Sequence, residues 1–443
     1  MKLEFRKLGI NGEGIGYLDR KPVFCPGVFP GETAEVKITE DHERYAKAEL
    51  VKLLKRSDDR ISAPICPYLN RCGGCPLLQM KAPAQLAYKK QLLEEALWKY
   101  GKIRNKVVRE VHPSPHSMHY RTSCKLPAGT IRGHLAAGMY EPGSNKFVAI
   151  GECAMHTPEL DHVKNQILSY AEDAGIHAFE NEHGLRYLVL RGIEGSFQCA
   201  LITGRDTLPP QFIEQVSSIP GMCSVVQSVN DARKTHTIFG TASKVLAGDP
   251  YITVQMNGLA LRLSAESFFQ RNAEQASELY RMAVAKIDPC TTLLEAYCGV
   301  GAMSLAAHEK AEEIIGIDSV SQAIENAEAN AKLNHIENVS FRCGDAAEEL
   351  QKILVRKPVD TLLADPPRSG MEDRMLETLL TSGIRKIIYV SCNPATLGKN
   401  LGVLKQAYDV RTIIPYDMFP NTPHIESITV LEKRNPPRAE RMH

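Results

Sequence analysis

Cys392 ends the apolar run Ile387-Ile388-Tyr389-Val390-Ser391 and is followed at once by Asn393-Pro394. A residue before proline is pushed out of the α region, so the backbone stays extended beyond the thiol and presents it at a strand end. In open α/β sheets, reacting groups and ligands gather at the carboxyl ends of strands. A second apolar run, Thr361-Leu362-Leu363-Ala364, ends in Asp365-Pro366-Pro367-Arg368, a rigid turn with carbonyls free to grip a flat polar ring. An isolated cysteine would simply pack. A thiol and a carboxylate delivered to comparable strand ends instead point to nucleophilic attack assisted by an acid or base.

The elements that must carry these groups are legible upstream. Thr292-Leu293-Leu294-Glu295-Ala296-Tyr297-Cys298-Gly299-Val300-Gly301 leads from a strand through a glycine turn into a helical stretch, Ala302 to Lys310. Ile314-Ile315-Gly316-Ile317-Asp318 then closes a strand on an acid, the position from which a carboxylate holds ribose hydroxyls. Strand, glycine turn, helix, strand and acid in that order predict a Rossmann-like α/β domain with a nucleotide-type cofactor.

A different chemistry is written near the N-terminus. Cys66, Cys72 and Cys75 lie in Pro64-Ile65-Cys66-Pro67-Tyr68-Leu69-Asn70-Arg71-Cys72-Gly73-Gly74-Cys75-Pro76, with five residues and then two between the sulfurs. Gly73-Gly74 lets the backbone curl so that thiolates converge, and three cysteines fall one short of a closed tetrahedral set. Zinc and an iron–sulfur centre both suit such spacing. Cys25, Cys124, Cys199, Cys223, Cys290, Cys298 and Cys343 have no partner spacing, and packing is expected of them. No secretory signal opens the chain, so a thiol-rich, disulfide-free interior is expected.

Lys2 to Leu54 alternates apolar and polar residues in short runs broken by Gly9, Gly12, Gly14, Gly16, Pro26-Gly27 and Pro30-Gly31, which predicts a small β-barrel. From Ala128 to Leu263 the pattern is short strands, clearest at Thr130–His134, Leu185–Arg191 and Gln198–Thr203, with one helical stretch around Pro158 to Ala174. At 443 residues the chain suffices for two or three domains, and no apolar run is long enough to span a bilayer. With 53 basic against 52 acidic residues, any affinity for nucleic acid must come from local patches. Two stand out: Arg44, Lys47, Lys52, Lys55, Arg56 and Arg60 near the end of the barrel, and Lys89, Lys90, Lys99, Lys102, Arg104, Lys106 and Arg109 around Trp98. Glu94 and Glu95 interrupt the second, and a solvated surface is the alternative.

From about Ala265 onward the chain resembles the uracil-5 RNA methyltransferases that use S-adenosylmethionine. The resemblance implies cofactor contacts at Gln270, Tyr297, Asp318 and Asp365, with Asp345 on the adenine side. It implies Cys392 as the nucleophile that adds to uracil carbon 6. Glu426, in Pro423-His424-Ile425-Glu426-Ser427, is implied as the base that removes the carbon-5 proton. The other reading of Glu426 is a solvated carboxylate opening a final edge strand, Ser427 to Leu431. Where the family commonly has asparagine, this chain has Ala302, which is therefore not a ligand. Gly14-Ile15-Gly16, Val23-Phe24-Cys25-Pro26-Gly27 and Pro30-Gly31-Glu32 are similar to the TRAM module, an RNA-binding barrel. The family pattern adds Cys153 to Cys66, Cys72 and Cys75 and implies a 4Fe–4S cluster. It also places Arg121 and Lys125, in His119-Tyr120-Arg121-Thr122-Ser123-Cys124-Lys125, near the substrate RNA.

The expected architecture is thus an α+β multidomain chain. It comprises a TRAM barrel (1–57), a central mixed α/β iron–sulfur domain (58–262), and a Rossmann-like methyltransferase domain (263–443), with 84–119 packed on the last. The expected activity is 5-methyluridine formation in 23S ribosomal RNA by a cytoplasmic monomer with no membrane partner. The T-loop uridine of tRNA is the rival target. A radical methylthiotransferase, whose cluster cysteines are spaced three then two and which leaves Cys392 idle, and a non-catalytic RNA-binding scaffold are the readings from other classes.

Overall fold

The computed structural model describes residues 1–62, 66–69, 71–232, 235 and 237–434. Pro64, Ile65 and Asn70 of the cysteine motif, and residues 435–443 of the expected catalytic domain, lie outside the described residues. The chain divides into two compact units. One holds Met1–Tyr88, Pro115–Ile252 and Phe419–Pro423; the other holds Lys89–Ser114, Thr253–Met418 and the chain from His424 on.

In the first unit, β1 (Lys2–Leu8), β2 (Gly14–Leu18), β3 (Lys21–Cys25), β4 (Thr33–Asp41) and β5 (Ala46–Lys55) close a barrel in the order β1-β2-β3-β5-β4. Two-residue alternation turns Leu3 and Phe5 inward from β1, where they join Val23, Cys25, Val28, Ala34 and Val36. Gly14 must stay glycine, since a Cβ there would lie 2.6 Å from the Val28 carbonyl oxygen. Arg60 is not part of an exposed basic patch. Its side chain is buried, bonding to Glu32 at 2.6 Å and 2.8 Å and donating to the Gly27 carbonyl at 2.7 Å. A fully buried carboxylate demands such a bidentate cation, so the arginine locks the barrel.

Helix α1 (Ala82–Ala96) begins among residues of the first unit and ends among those of the second. The rest of the first unit is a seven-stranded sheet: β6 (Ser123–Ile131), β7 (His134–Tyr140), β8 (Phe147–Ala149), β9 (Leu185–Ile193), β10 (Ser196–Thr203), β11 (Met222–Val229) and β12 (Ser243–Gly248), in the order β12-β11-β10-β9-β6-β7-β8. Helices α2 (Pro158–Asp173) and α3 (Pro210–Ser217) bury Leu160, Ile167, Phe212 and Val216 against Leu188, Leu190 and Leu201 of the sheet. Helix α3 is additional to the single helix expected here. Of Thr130–His134, expected as one strand, Thr130 and Ile131 end β6 and His134 opens β7, while Arg132-Gly133 form the turn between them. Arg132 and Gly133 have φ of 53° and 89°, a two-residue hairpin turn hidden behind β-branched neighbours.

The second unit opens with the hairpin β13 (Tyr251–Met256) and β14 (Leu259–Ser264), then helix α4 (Ala273–Ala285). Its sheet holds β15 (Cys290–Ala296), β16 (Ala311–Asp318), β17 (Val339–Cys343), β18 (Thr361–Ala364), β19 (Lys386–Ser391), β20 (Tyr408–Tyr416) and β21 (Glu426–Lys433) in the order β17-β16-β15-β18-β19-β21-β20. The first five run parallel, linked by α5 (Ala302–Ala306), α6 (Ser321–Leu333), α7 (Ala346–Arg356), α8 (Asp373–Thr381) and, after β19, α9 (Pro394–Leu404). Strand β21 is not an edge strand. It enters antiparallel between β19 and β20, and six consecutive residues from Glu426 to Leu431 are buried, as a strand covered on both faces requires. Cys343, expected to pack, is exposed because β17 is the edge.

Candidate active site

Every strand that carries a chemically pointed residue delivers it to the same edge of this sheet. Tyr297 follows β15, Asp318 ends β16, Asp345 lies just beyond β17, Asp365 follows β18, and Cys392 follows β19. These five strands are parallel, so all five residues gather at their carboxyl ends. Glu426 reaches that edge from the other direction. Ser391 pairs with Ser427 in the antiparallel register of β19 and β21, so the next positions along, Cys392 and Glu426, are neighbours.

Local sequence explains how the thiol is held. Asn393 keeps extended backbone (φ −136°, ψ 105°), caps α9 by accepting from the Ala395 N–H at 3.1 Å, and leaves Pro394 as the first helical residue. The Asn393 side chain also donates to the Arg368 carbonyl at 3.0 Å, and the Thr396 hydroxyl donates to it at 3.3 Å. The Asp-Pro-Pro-Arg turn and the Cys-Asn-Pro turn are thereby tied together.

The electrostatics are those of an acidic, partly desolvated pocket. Burial, and then the charges of Glu426 and Asp365, push the Cys392 thiol up to about 12, with Arg368 opposing. Glu426 is raised well above the carboxylate range, by burial first and by Asp365 next, again opposed by Arg368. Asp365 is partly accessible as a residue, yet its carboxyl is desolvated enough to be pushed up to about 7. Glu295, which accepts from the Ser304 hydroxyl, is buried and raised to about 8, with Asp365 and Asp318 adding their charge. Carboxyls crowded in this way are relieved by a cation.

Asp318 accepts from the Gly299 N–H at 2.9 Å and the Val320 N–H at 2.9 Å, so the acid and the glycine turn fix each other. Tyr297 itself has φ 65°, a strained conformation for a large side chain of the kind found at ligand sites. Burial raises its hydroxyl to about 12, with Glu372 and Asp345 contributing. Gly301 (φ 80°) has no room for a side chain, because a Cβ would meet the Phe341 ring at 2.8 Å. Asp345 is exposed and caps α7 through the Glu348 N–H at 2.9 Å. Gln270 is partly exposed in the irregular segment before α4, anchored on one side by buried Ser267 and on the other by Asn272, whose side chain bonds to the Met418 carbonyl at 3.1 Å.

Two residues of this pocket were not singled out from sequence. Glu295 and Arg368 both lie inside motifs that were read for their neighbours. Arg368 acts on both Cys392 and Glu426, and its guanidinium stands 3.0 Å from the His424 Nδ1. The available signal was an arginine directly after the Asp-Pro-Pro turn.

The cysteines of the expected cluster all lie in the first unit. Cys66, Cys75 and Cys153 pack with Leu78, Tyr120, Met155 and Phe419. The Cys72 thiol is raised by burial, with the charges of Cys153 and Cys66 adding; that of Cys75 is pushed up to about 12 by burial, with Cys153, Cys72 and Cys66 adding and Arg121 opposing. Cys72 and Cys75 are therefore each within electrostatic reach of Cys66 and Cys153. Among the described residues, none of these thiols is drawn with two others into a closed set of metal ligands. Gly73 (φ 71°) is obligatory here, since a Cβ would lie 2.2 Å from Pro142 Cγ. The Cys153 N–H donates to Asp161 at 2.6 Å, and Asp161 also binds His156 at 2.8 Å and the fully buried Lys164 at 2.9 Å. The Tyr68 hydroxyl accepts from the Gly151 N–H at 2.9 Å, joining the two cysteine loops. Arg121 belongs to this neighbourhood, while Lys125 lies over the Phe239 ring at 5.7 Å.

Comparison with known proteins gives this arrangement its context. The tRNA (uracil-5-)-methyltransferase family profile matches residues 81–434, and the TRAM domain profile matches residues 1–51. The chain belongs to the tRNA (uracil-5-)-methyltransferase family. An uncharacterized RNA methyltransferase of Halalkalibacterium halodurans is 36% identical over 438 residues, covering 96% of this chain and 95% of its own. Another, of Lactiplantibacillus plantarum, is 34% identical over 446 residues, covering 98% and 92%. The crystal structure of the Pyrococcus abyssi tRNA (uracil-54, C5)-methyltransferase, in complex with S-adenosyl-L-homocysteine, is similar with a TM-score of 0.79 and 26% identity, covering 97% of this chain and 99% of that one. This methyltransferase therefore has an N-terminal TRAM barrel and a methyltransferase fold, is of an S-adenosylmethionine-dependent family, and acts on RNA. No helix among the described residues is long and apolar enough to cross a membrane.

Proposed function

We propose that this enzyme methylates carbon 5 of a uridine in RNA through a transient bond between Cys392 and the pyrimidine. The observation that carries the reading is the meeting of Cys392, Glu426 and Asp365 at one sheet edge, with Arg368 acting on the first two.

Carbon 5 of uracil is too weak a nucleophile to be alkylated unaided. Addition of the Cys392 thiolate at carbon 6 moves the ring electrons onto carbon 5 and the carbon-4 oxygen. Once carbon 5 carries the methyl group, Glu426 removes the remaining proton there, the double bond re-forms, and the thiolate leaves. A carboxyl raised by burial is a stronger base when ionised, which suits removal of a carbon-bound proton. Burial, and then the neighbouring acids, make the free thiol reluctant to ionise, and Arg368, by opposing them, favours the attacking form.

S-adenosylmethionine, when bound, supplies an electrophilic methyl group on a positively charged sulfur. The acidic pocket fits a cation of this kind, and Gln270, Tyr297, Asp318, Asp345 and Asp365 would hold the cofactor. Cys66, Cys72, Cys75 and Cys153 would hold a 4Fe–4S cluster, for which mutually coupled, half-buried thiols are suitable donors. Zinc is the competing occupant. Arg121 and Lys125 are assigned to the RNA side with the barrel, 1–57; the central region to 262 carries the cysteines and 263–443 the methyl transfer. The enzyme acts as a cytoplasmic monomer in this reading.

For the target, the barrel and the four-cysteine set favour a uridine of 23S ribosomal RNA. The Pyrococcus abyssi neighbour, whose own substrate is tRNA uracil-54, favours the T-loop. Incubation with methyl-labelled S-adenosylmethionine and separate pools of rRNA and tRNA, followed by nucleoside analysis, decides the matter. Label in 5-methyluridine of one pool is expected, and label in any other nucleoside would overturn the reaction assigned here.

A further inference from the structure

Helix α1 does not end cleanly. Leu97–Gly101 continues it as one wide π-turn, closed by Lys102 in the left-handed conformation (φ 54°). Such turns cost hydrogen-bond geometry and persist where they aim side chains for a purpose. This one buries Leu97 and turns Trp98 and Tyr100 outward, 55% and 39% exposed. Trp98 is the only tryptophan in the chain. One exposed aromatic is ordinary on a protein surface, so its setting carries the argument.

The turn is braced on α9, the helix that follows Cys392. A Cβ on Gly101 would lie 2.5 Å from the Gly398 carbonyl oxygen, one on Gly398 would lie 2.8 Å from the Ala96 carbonyl oxygen, and one on Gly402 would lie 3.2 Å from the Tyr100 carbonyl oxygen. Backbone therefore rests on backbone, and Lys405 donates to the Gly101 carbonyl at 2.9 Å. The backbone that carries the two aromatic rings is thereby closely packed.

Their surroundings are cationic. Between Glu95 and Glu110 the chain carries Lys99, Lys102, Arg104, Lys106 and Arg109 and no acid, although the whole protein is nearly neutral. All five are exposed. The ammonium groups of Lys99 and Lys399 stand 5.0 Å and 5.6 Å from the Tyr100 ring centre, and that of Lys102 stands 5.4 Å from the Trp98 ring centre. A surface with aromatic faces and a rim of cations complements unpaired bases joined by phosphates.

We propose that this turn is a second RNA-contact surface, separate from the strand-end pocket. Unpaired bases of the substrate stack on Trp98 and Tyr100, while Lys99, Lys102, Arg104 and Lys399 meet the flanking phosphates. The inference rests on RNA being the substrate and adds where that RNA is gripped outside the reacting nucleotide.

The lone tryptophan supplies the test. The full-length enzyme is titrated with bulk tRNA and rRNA, and separately with heparin, a polyanion without bases, while Trp98 emission and complex formation by mobility shift are followed together. RNA is expected to quench the emission over the range in which the complex forms, and heparin to bind without matching quenching. The Trp98→Ala, Tyr100→Ala double variant is expected to lose about tenfold in RNA affinity and to raise KM for RNA similarly, with kcat and S-adenosylmethionine binding unchanged. Saturating RNA that leaves Trp98 emission unaltered, equal quenching by heparin, or full RNA affinity in a double variant that still binds S-adenosylmethionine would each overturn the surface. Methyl transfer to uridine without quenching removes this surface and leaves the proposed reaction standing; quenching without methyl transfer does the reverse.

Discussion

The two cysteine regions of this chain place one side chain in contrasting surroundings. In the first unit, Cys66, Cys75 and Cys153 pack among Leu78, Tyr120 and Met155, and the charges of Cys66 and Cys153 add to burial in raising the Cys72 and Cys75 thiols. In the second, Cys392 is raised by burial and by Glu426 and Asp365, with Arg368 opposing them. Several mutually repelling thiolates are stabilised together only by a cationic centre that they share. A single thiol beside acids and an arginine can ionise, attack and leave. Burial is common to both groups of thiols, so the contrast between them lies in the companions.

The comparison can be broken most severely at Cys392. Cys392→Ala is expected to reduce methyl transfer to uridine by on the order of 10⁴ or more while leaving RNA and cofactor binding near normal. Turnover within tenfold of the parent would end the covalent reading. Glu426→Gln sharpens the same point, because an enzyme that adds to uracil and cannot remove the carbon-5 proton should accumulate an RNA-linked protein, visible as a slow band after denaturing electrophoresis. A variant that is merely slow and never cross-linked would take the base away from Glu426.

Cys75→Ser probes the other side. It should lower the iron or zinc content of anaerobically purified protein and reduce thermal stability, while methyl transfer at a permissive temperature falls by less than about tenfold, far less than at Cys392. A loss as deep as that of Cys392→Ala would place the four cysteines in the chemistry itself. The smallest expected effect is on cofactor affinity. Asp365, raised to about 7, is mostly protonated below that value and mostly ionised above it. A cationic cofactor prefers the ionised form, so S-adenosylmethionine should bind several-fold more tightly at pH 8 than at pH 6, and Asp365→Asn should flatten that dependence. Isothermal titration at the two pH values reads it directly, and S-adenosyl-L-homocysteine, which lacks the charge, should show the weaker slope.

The sequence by itself determined the local units and their order. Period-two alternation with glycine and proline breaks specified the barrel, the apolar runs closing on Asp318, Asp365 and Cys392 specified the parallel strands, and each run's last residue announced the carboxyl edge before any sheet was assembled. Pattern of this kind is short-range, and burial on a strand or helix face writes it directly into neighbouring residues. Only the tertiary structure decided what depends on contacts between distant segments. Glu426 could be taken for a solvated edge residue until β21 was seen to enter between β19 and β20. Arg60 and Lys89 could be counted as surface charge until Glu32 and Asp417 were found beside them in the interior. Arg368 gained its role through a register linking residues far apart in the chain. Charges act through space rather than along the backbone, so their partners, and with them the character of each thiol, are settled by the fold.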